Sequence, residues 1–149
     1  MTLSYLIPAV TVEEADVYAA LRVWSDWAAA EDPSKIGALR RSQDYIAATY
    51  NARWAEEWTT LETPEEVKYA IIEGARRELT TPGALNPDVT LATARKRVKV
   101  EGAVEVEYAV GSGKLTAADM RPDISIIDQL LAEFLRVGGG GVTVDTLRV

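Results

Sequence analysis

The spacing of apolar residues keeps a helical period to about residue 80 and shifts to strict alternation near residue 98. It becomes helical again near residue 124 and alternates once more after residue 141. In "TVEEADVYAALRVW", Thr11 is placed to cap a helix and Glu14 to complete a capping box. Val12, Ala15, Ala19 and Val23 share one face, and Trp24 and Trp27 fall near the helix end or in a short second turn. A second helix is expected over "EDPSKIGALRRSQDYIAATYNARW", with Asp32 as cap and Pro33 at the first helical position. Its stripe of Ile36, Leu39, Ile46 and Tyr50 is interrupted only by Gln43, and Trp54 and Trp58 extend that side. The third and clearest helix is "ETPEEVKYAIIEGARREL", with Thr63 as cap, Pro64 in the first turn and Glu66 closing the box. Val67, Ala70, Ile71, Gly74, Ala75 and Leu79 line its face, and the small Gly74 and Ala75 allow a neighbouring helix close approach. "TTPGALNPD" then breaks the pattern.

Val98, Val100, Val104, Val106 and Tyr108 alternate with charged residues, as half-exposed strands do, and Gly102 suits a hairpin turn or bulge between them. The first arm carries Arg95, Lys96, Arg97 and Lys99, and the second Glu101, Glu105 and Glu107, so antiparallel pairing brings opposite charges together. After a glycine-containing loop, "DISIIDQLLAEFLRV" predicts a last helix capped by Asp123, with Ile127, Leu130, Leu131, Phe134 and Leu135 as its apolar stripe and Gly138 as its stop. The fold class expected is mainly α. A bundle of three to four helices spans 1–137, with a β-hairpin at about 94–110 before the last helix, followed by an extended C-terminal tail, 138–149.

Composition narrows the chemistry. The 149 residues include no cysteine and no histidine, which excludes disulfides, thiolate sites and every catalytic arrangement built on imidazole. There is no apolar run long enough to span a membrane, and the opening "MTLSYLIPAV" lacks the basic and apolar regions of a secretion signal. The net charge of −7 disfavours broad, nonspecific nucleic-acid binding. All of it arises in residues 1–94, with 8 basic and 15 acidic side chains, while residues 95–149 carry 8 of each.

The motifs mostly reduce to structure. The Trp residues read as core, because a base-stacking platform would interleave them with Lys or Arg and here Glu56 and Glu57 intervene. The pairs Glu13–Glu14 and Glu65–Glu66 fall in first helical turns, where acids favour the helix dipole. "GSGK" lacks the spacing and the following Ser or Thr of a phosphate loop. No catalytic, cofactor-binding or metal-ligating residue is expected. Arg95, Lys96, Arg97 and Lys99 read as a solvated or inter-subunit face more readily than as a DNA contact. The tail is less ordinary. Gly138, Gly139, Gly140 and Gly141 exceed what a helix stop needs, and Val142, Thr143, Val144, Leu147 and Val149 suit a strand without a partner in its own domain. Extended, residues 138–149 reach about 40 Å. The reading is a glycine hinge followed by a docking strand, in preference to a disordered end.

The order of "TVEEADVYAALR", "ALRRSQDYIAATY", "PEEVKYAIIEGARREL", "RKRVKVEGAVEVEYA" and "ISIIDQLLAEFL" resembles a family of tailed-phage head–tail connector (adaptor, or head-completion) proteins. Part of that family bears the name DnaT-like single-stranded DNA-binding protein. The resemblance spans about residues 5–136, and its most specific parts are Glu14 to Tyr18 and "VKVEGAVEVEYA". It implies a non-enzymatic virion protein, made in the host bacterial cytoplasm and assembled as a ring, typically of twelve copies, beneath the portal. It also implies that the tail docks on the portal or a neighbouring subunit, that a stopper or tail terminator binds the other side, and that DNA passes through without specific binding. The alternative is a single-stranded DNA-binding replication accessory protein. Related sequences carry a longer loop where this chain has "NARWAEEWTTLET", so no contact of that loop is transferred.

Overall fold

The computed structural model describes residues 2–88, 97–99, 105–107 and 122–136. Five α-helices form the body: α1 (Val12–Leu21), α2 (Ser25–Ala28), α3 (Asp32–Tyr50), α4 (Glu65–Thr80) and α5 (Ser125–Leu131), with 3-10 turns at Thr60–Glu62 and Ala132–Phe134. β1 (Arg97–Lys99) and β2 (Glu105–Glu107) pair antiparallel, as the alternation predicts, with Arg97 opposite Glu107, Val98 opposite Val106 and Lys99 opposite Glu105. The architecture is the expected mainly helical bundle with a hairpin before the last helix.

α4 is the centre, touching α1, α2, α3 and α5. Its face buries Val67, Ala70, Ile71, Ile72, Gly74 and Ala75, while Leu79 is half-buried at the edge. Gly74 is where three helices converge: a Cβ there would lie 2.3 Å from Ser42 Oγ on α3 and 3.4 Å from Ile127 Cδ1 on α5. A mid-helix glycine costs about 0.5–1 kcal/mol in propensity, and here close approach of two neighbours offsets that cost. All four Trp residues are buried, as expected of core, and Trp54 meets Trp58 edge-on with centroids 5.1 Å apart.

Polar side chains hold the irregular segments. Gln43, which interrupts the α3 stripe, is buried because it donates to the carbonyls of Ser4 and Ile7 and accepts the Ala9 N–H. Asn51 accepts the Leu3 N–H and donates to the Leu3 carbonyl, and Thr60 Oγ1 accepts the Ser4 N–H. These bonds hold the N-terminal segment against α3, and Leu3 is fully buried.

Several local expectations need correction. The Thr11–Glu14 capping box forms as expected, but the other helices begin differently. α3 starts after Glu31 with Pro33 one position later than expected. α4 starts after Pro64, because the Thr63 hydroxyl donates to the Thr60 carbonyl instead of capping; α5 starts after Ile124 rather than Asp123. None of these three has a side-chain cap. The last helix does not run to Gly138. It tightens at Ala132 and is extended by Leu135, which bridges Trp54; Ala55 N–H donates to the Phe134 carbonyl and Arg136 N–H to that of Arg53. Ile36 is exposed, so it is not part of the α3 core stripe.

Val23 is not part of the α1 face either. It sits past the helix end, 85% exposed, at φ 54°. Trp24 N–H donates to the Ala19 carbonyl and Val23 N–H to that of Ala20, the paired bonds of a Schellman stop with a β-branched residue in the left-handed position that glycine ordinarily takes. The strain has a direct consequence: Val23→Gly raises stability by about 0.5–1 kcal/mol, read as a higher denaturation midpoint at unchanged m-value. At the helix convergence, Gly74→Ala destabilises by about 1–3 kcal/mol through overpacking. Ser42 Oγ is buried without a hydrogen-bond partner among the described residues, so Ser42→Ala is close to neutral and removes most of the Gly74→Ala penalty in a double-mutant cycle.

Candidate functional site

No group of three or more carboxylates that could hold a metal occurs among the described residues, and no helix there is long and apolar enough to cross a membrane. The described surface carries the remaining candidate features. The first question is what the cations do. Of the eight Lys and Arg residues before residue 95, six lie within 4 Å of a carboxylate. Lys35 meets Asp16 at 2.9 Å, Arg41 meets Glu78 at 2.9 Å, Lys68 meets Glu14 at 2.7 Å and Arg76 meets Asp26 at 2.9 Å. Arg40–Asp44 and Arg77–Glu73 are looser, at 3.7 and 3.5 Å. The remaining two lie over rings, Arg22 at 3.3 Å from the Tyr18 centroid and Arg53 at 5.3 Å from that of Tyr50.

These pairings set the titration of the body. Burial pushes the Asp16 carboxyl up, but the Lys35 ammonium and the Trp27 indole N–H outweigh it and hold the group below the usual Asp range. Arg76 is the main cause that lowers Asp26. Burial, with Glu73 beside it, pushes the Tyr18 hydroxyl up to about 12.

Glu78 is the most committed carboxylate. Burial alone would raise its pKa; the backbone N–H groups of Leu85 and Gly83 and the Arg41 guanidinium together lower it. Those N–H donors lie 2.9 Å from its two oxygens, so one α4 side chain closes the 81–86 loop onto the helix. Glu78, Arg41, Asp44, Tyr45 and Tyr5 line a groove of about 760 Å³ beside that loop. Nothing in the amphipathic pattern singled out Glu78, which lies on the buried side of α4 one residue before Leu79.

Two further surfaces are apolar. Pro8, Val10, Val12, Ile36, Leu39 and Ile71 wall a groove of about 340 Å³, which Arg40 also lines and no carboxylate does. On another side of α1, Val17 and Leu21 flank a groove shared with Tyr18, Tyr69 and Ile72. The sequence reading missed both. The signal was present in α1, where apolar residues occur on its outward side as well as its inward one.

Of the expected site residues, Arg97 and Lys99 lie in β1, across from acidic residues of β2 as the charge pattern predicts. Arg95, Lys96, the hinge Gly138 to Gly141, and Val142, Thr143, Val144, Leu147 and Val149 lie outside the described residues.

The class this defines is a small acidic helical bundle with a hairpin inserted before its last helix. The chain belongs to the family described as "Putative DnaT-like ssDNA binding protein", whose model matches residues 55–149. The match covers α4, the hairpin, α5 and the tail; α1 to α3 lie before it. No curated protein and no solved structure matches the chain. The family's name speaks of single-stranded DNA and is silent on a portal or a virion.

The Glu78 loop closure makes stability depend on acid. A carboxyl whose folded pKa is depressed contributes fully above its unfolded value, near 4.5, and that contribution is lost as pH falls through the lower folded value. Glu78→Gln is expected to cost on the order of 2 kcal/mol at pH 7. It also reduces the loss of stability between pH 6 and pH 3, measured by urea denaturation at each pH.

Proposed function

We propose that this chain is a non-enzymatic structural subunit of a phage head–tail connector ring, joining the portal to the tail and extending the DNA channel. The observation that supports it best is that every cation before residue 95 lies beside a carboxylate or ring of its own chain, four of them in close ion pairs of 2.7 to 2.9 Å. A protein that grips nucleic acid needs several Lys or Arg side chains for phosphates. Six of the eight in this helical body would first have to leave or share an ion pair. Its four Trp side chains are core and offer no stacking platform. An acidic body of this kind suits a wall past which DNA slides without being held.

In this reading the protein resides in the virion at the head–tail interface after synthesis in the host cytoplasm. Its partners are further copies of itself, the portal, and a stopper or tail terminator. Residues 138–149 act as hinge and docking strand for the portal or a neighbouring subunit. The resemblance to connector proteins noted in the sequence points the same way.

A second reading, a single-stranded DNA-binding accessory protein, has direct support in the family's name. Its cations would come from Arg95, Lys96, Arg97 and Lys99, within the matched region. Fluorescence anisotropy with a labelled single-stranded oligonucleotide separates the two. The connector reading expects no binding tighter than about 100 µM at physiological salt. Micromolar binding that weakens steeply between about 50 and 200 mM salt, and that Arg95→Glu with Arg97→Glu abolishes, establishes the second reading instead. In phage particles, deletion of residues 142–149 is expected to leave the bundle's circular dichroism unchanged while heads fail to acquire the protein; normal head completion by the truncated chain overturns the role given to the tail.

A further inference from the structure

We propose that the outward row Glu13–Val17–Leu21 of α1 docks into the Ile36–Arg40 groove of a second copy of this chain, giving a head-to-tail contact. The inference rests on the reading of the chain as an assembly subunit, and it names the surface.

The row first. Glu13, Val17 and Leu21 follow each other at i, i+4 and i+8, so they form one ridge along the helix. Val17 is 65% exposed and Leu21 79%. Exposed large apolar side chains at i and i+4 on one helix make a contiguous apolar strip of the kind that partners cover. Among the described residues α1 is covered on one side alone, where Ala15, Tyr18 and Ala19 are buried.

The groove next. Ile36, 57% exposed, and Arg40 are also an i, i+4 pair, on α3. Ile36 lines the groove with Pro8, Val10, Val12 and Leu39, and its volume of about 340 Å³ accepts aliphatic side chains. Arg40 is held by Asp44 at 3.7 Å, too far for a good hydrogen bond, and remains available to a closer carboxylate.

Two features make a second copy the fitting occupant. Charge is complementary: α1 carries Glu13, Glu14 and Asp16 with no base, Glu14 and Asp16 are already paired within the chain, and Glu13 has no cation within 4 Å among the described residues. The groove contributes Arg40 and no carboxylate. With the two helices antiparallel, the matching i, i+4 spacings set Glu13 against Arg40 and Val17 against Ile36. The second feature is placement. Leu21 of the ridge and Val12 of the groove are nine residues apart on one helix, which at 3.6 residues per turn puts them on opposite sides of α1. A ridge on one side and its groove on the other make a contact that leaves a ridge and a groove open at the ends. That is the heterologous geometry that builds rings or filaments in place of closed two-fold dimers.

The test uses the full-length chain and mass photometry or sedimentation velocity over a concentration series. Leu21→Glu and Ile36→Glu change exposed residues, so circular dichroism should match the wild type. The wild-type chain is expected to form species larger than a dimer, and each variant alone to associate at least about 30-fold more weakly. An equimolar mixture of the two variants retains one intact ridge and one intact groove, so it forms a 1:1 dimer and nothing larger. Glu13→Arg weakens assembly, and Glu13→Arg with Arg40→Glu restores it. Wild-type assembly that persists in both variants overturns the surface while leaving the connector reading standing. The surface is likewise overturned if a chain lacking residues 138–149 fails to assemble and Leu21→Glu still assembles, because the groove then receives the tail. A wild-type chain still monomeric at about 0.5 mM overturns self-docking, whereas micromolar binding to single-stranded DNA would strike the connector reading and not this surface.

Discussion

A single missing side chain governs how closely this bundle can pack. At Gly74 the central helix presents bare backbone to Ser42 of α3 and Ile127 of α5, and a methyl group there would drive into the Ser42 hydroxyl. α4 also touches α1 and α2, so this close approach lies within the helix that contacts every other helix of the body. The apolar residues around this point, Ala70, Ile71, Ala75, Ala38, Ile46 and Leu131, are almost fully buried. Such a core has little room to relax, which is why one atom matters there.

The second organising element is side-chain hydrogen bonding to irregular backbone. Gln43, Asn51 and Thr60 satisfy the segment before α1, and Glu78 satisfies the loop after α4. Charged groups are likewise used internally, Lys35 on Asp16 and Arg41 on Glu78. In the proposed connector reading, a surface whose cations sit beside its own carboxylates has little to offer a phosphate chain. What it does offer is apolar: a ridge on one side of α1 and a groove on the other. The Glu78 carboxylate that closes the 81–86 loop also holds Arg41, so in the proposed connector reading one group serves stability and takes a cation away from phosphate binding.

Much of the architecture was legible in the pattern. Helical spacing located α1, α3, α4 and α5, alternation located β1 and β2, and the opposed charges of the two arms matched their register. The burial of all four Trp residues matched their reading as bundle core, for which Trp54 and Trp58 extended the α3 stripe. Helix starts were less legible. Thr63 looked like a cap because of its type and position, yet its hydroxyl bonds to Thr60, a choice made by the preceding 3-10 turn. Val23 fitted the α1 stripe by spacing, but the helix stops before it in a conformation rare for valine. Of the candidate sites, the hairpin charges were placed from sequence, whereas the ridge and the groove were not, because spacing says which residues share a face and not whether that face is covered.

What the sequence by itself determined is periodicity and chemistry: where the backbone can be helical or extended, which side of each element is apolar, and that imidazole and thiol reactions are excluded. Those are local properties, set within a few turns by spacing and residue type. The tertiary structure decided which apolar faces meet. It assigned Gln43 to a loop backbone 34 residues away in sequence, paired Lys35 with Asp16 across two helices, and left Val17, Leu21 and Ile36 in solvent. These outcomes depend on which elements come to lie side by side, and that is settled by how the helices close around Gly74.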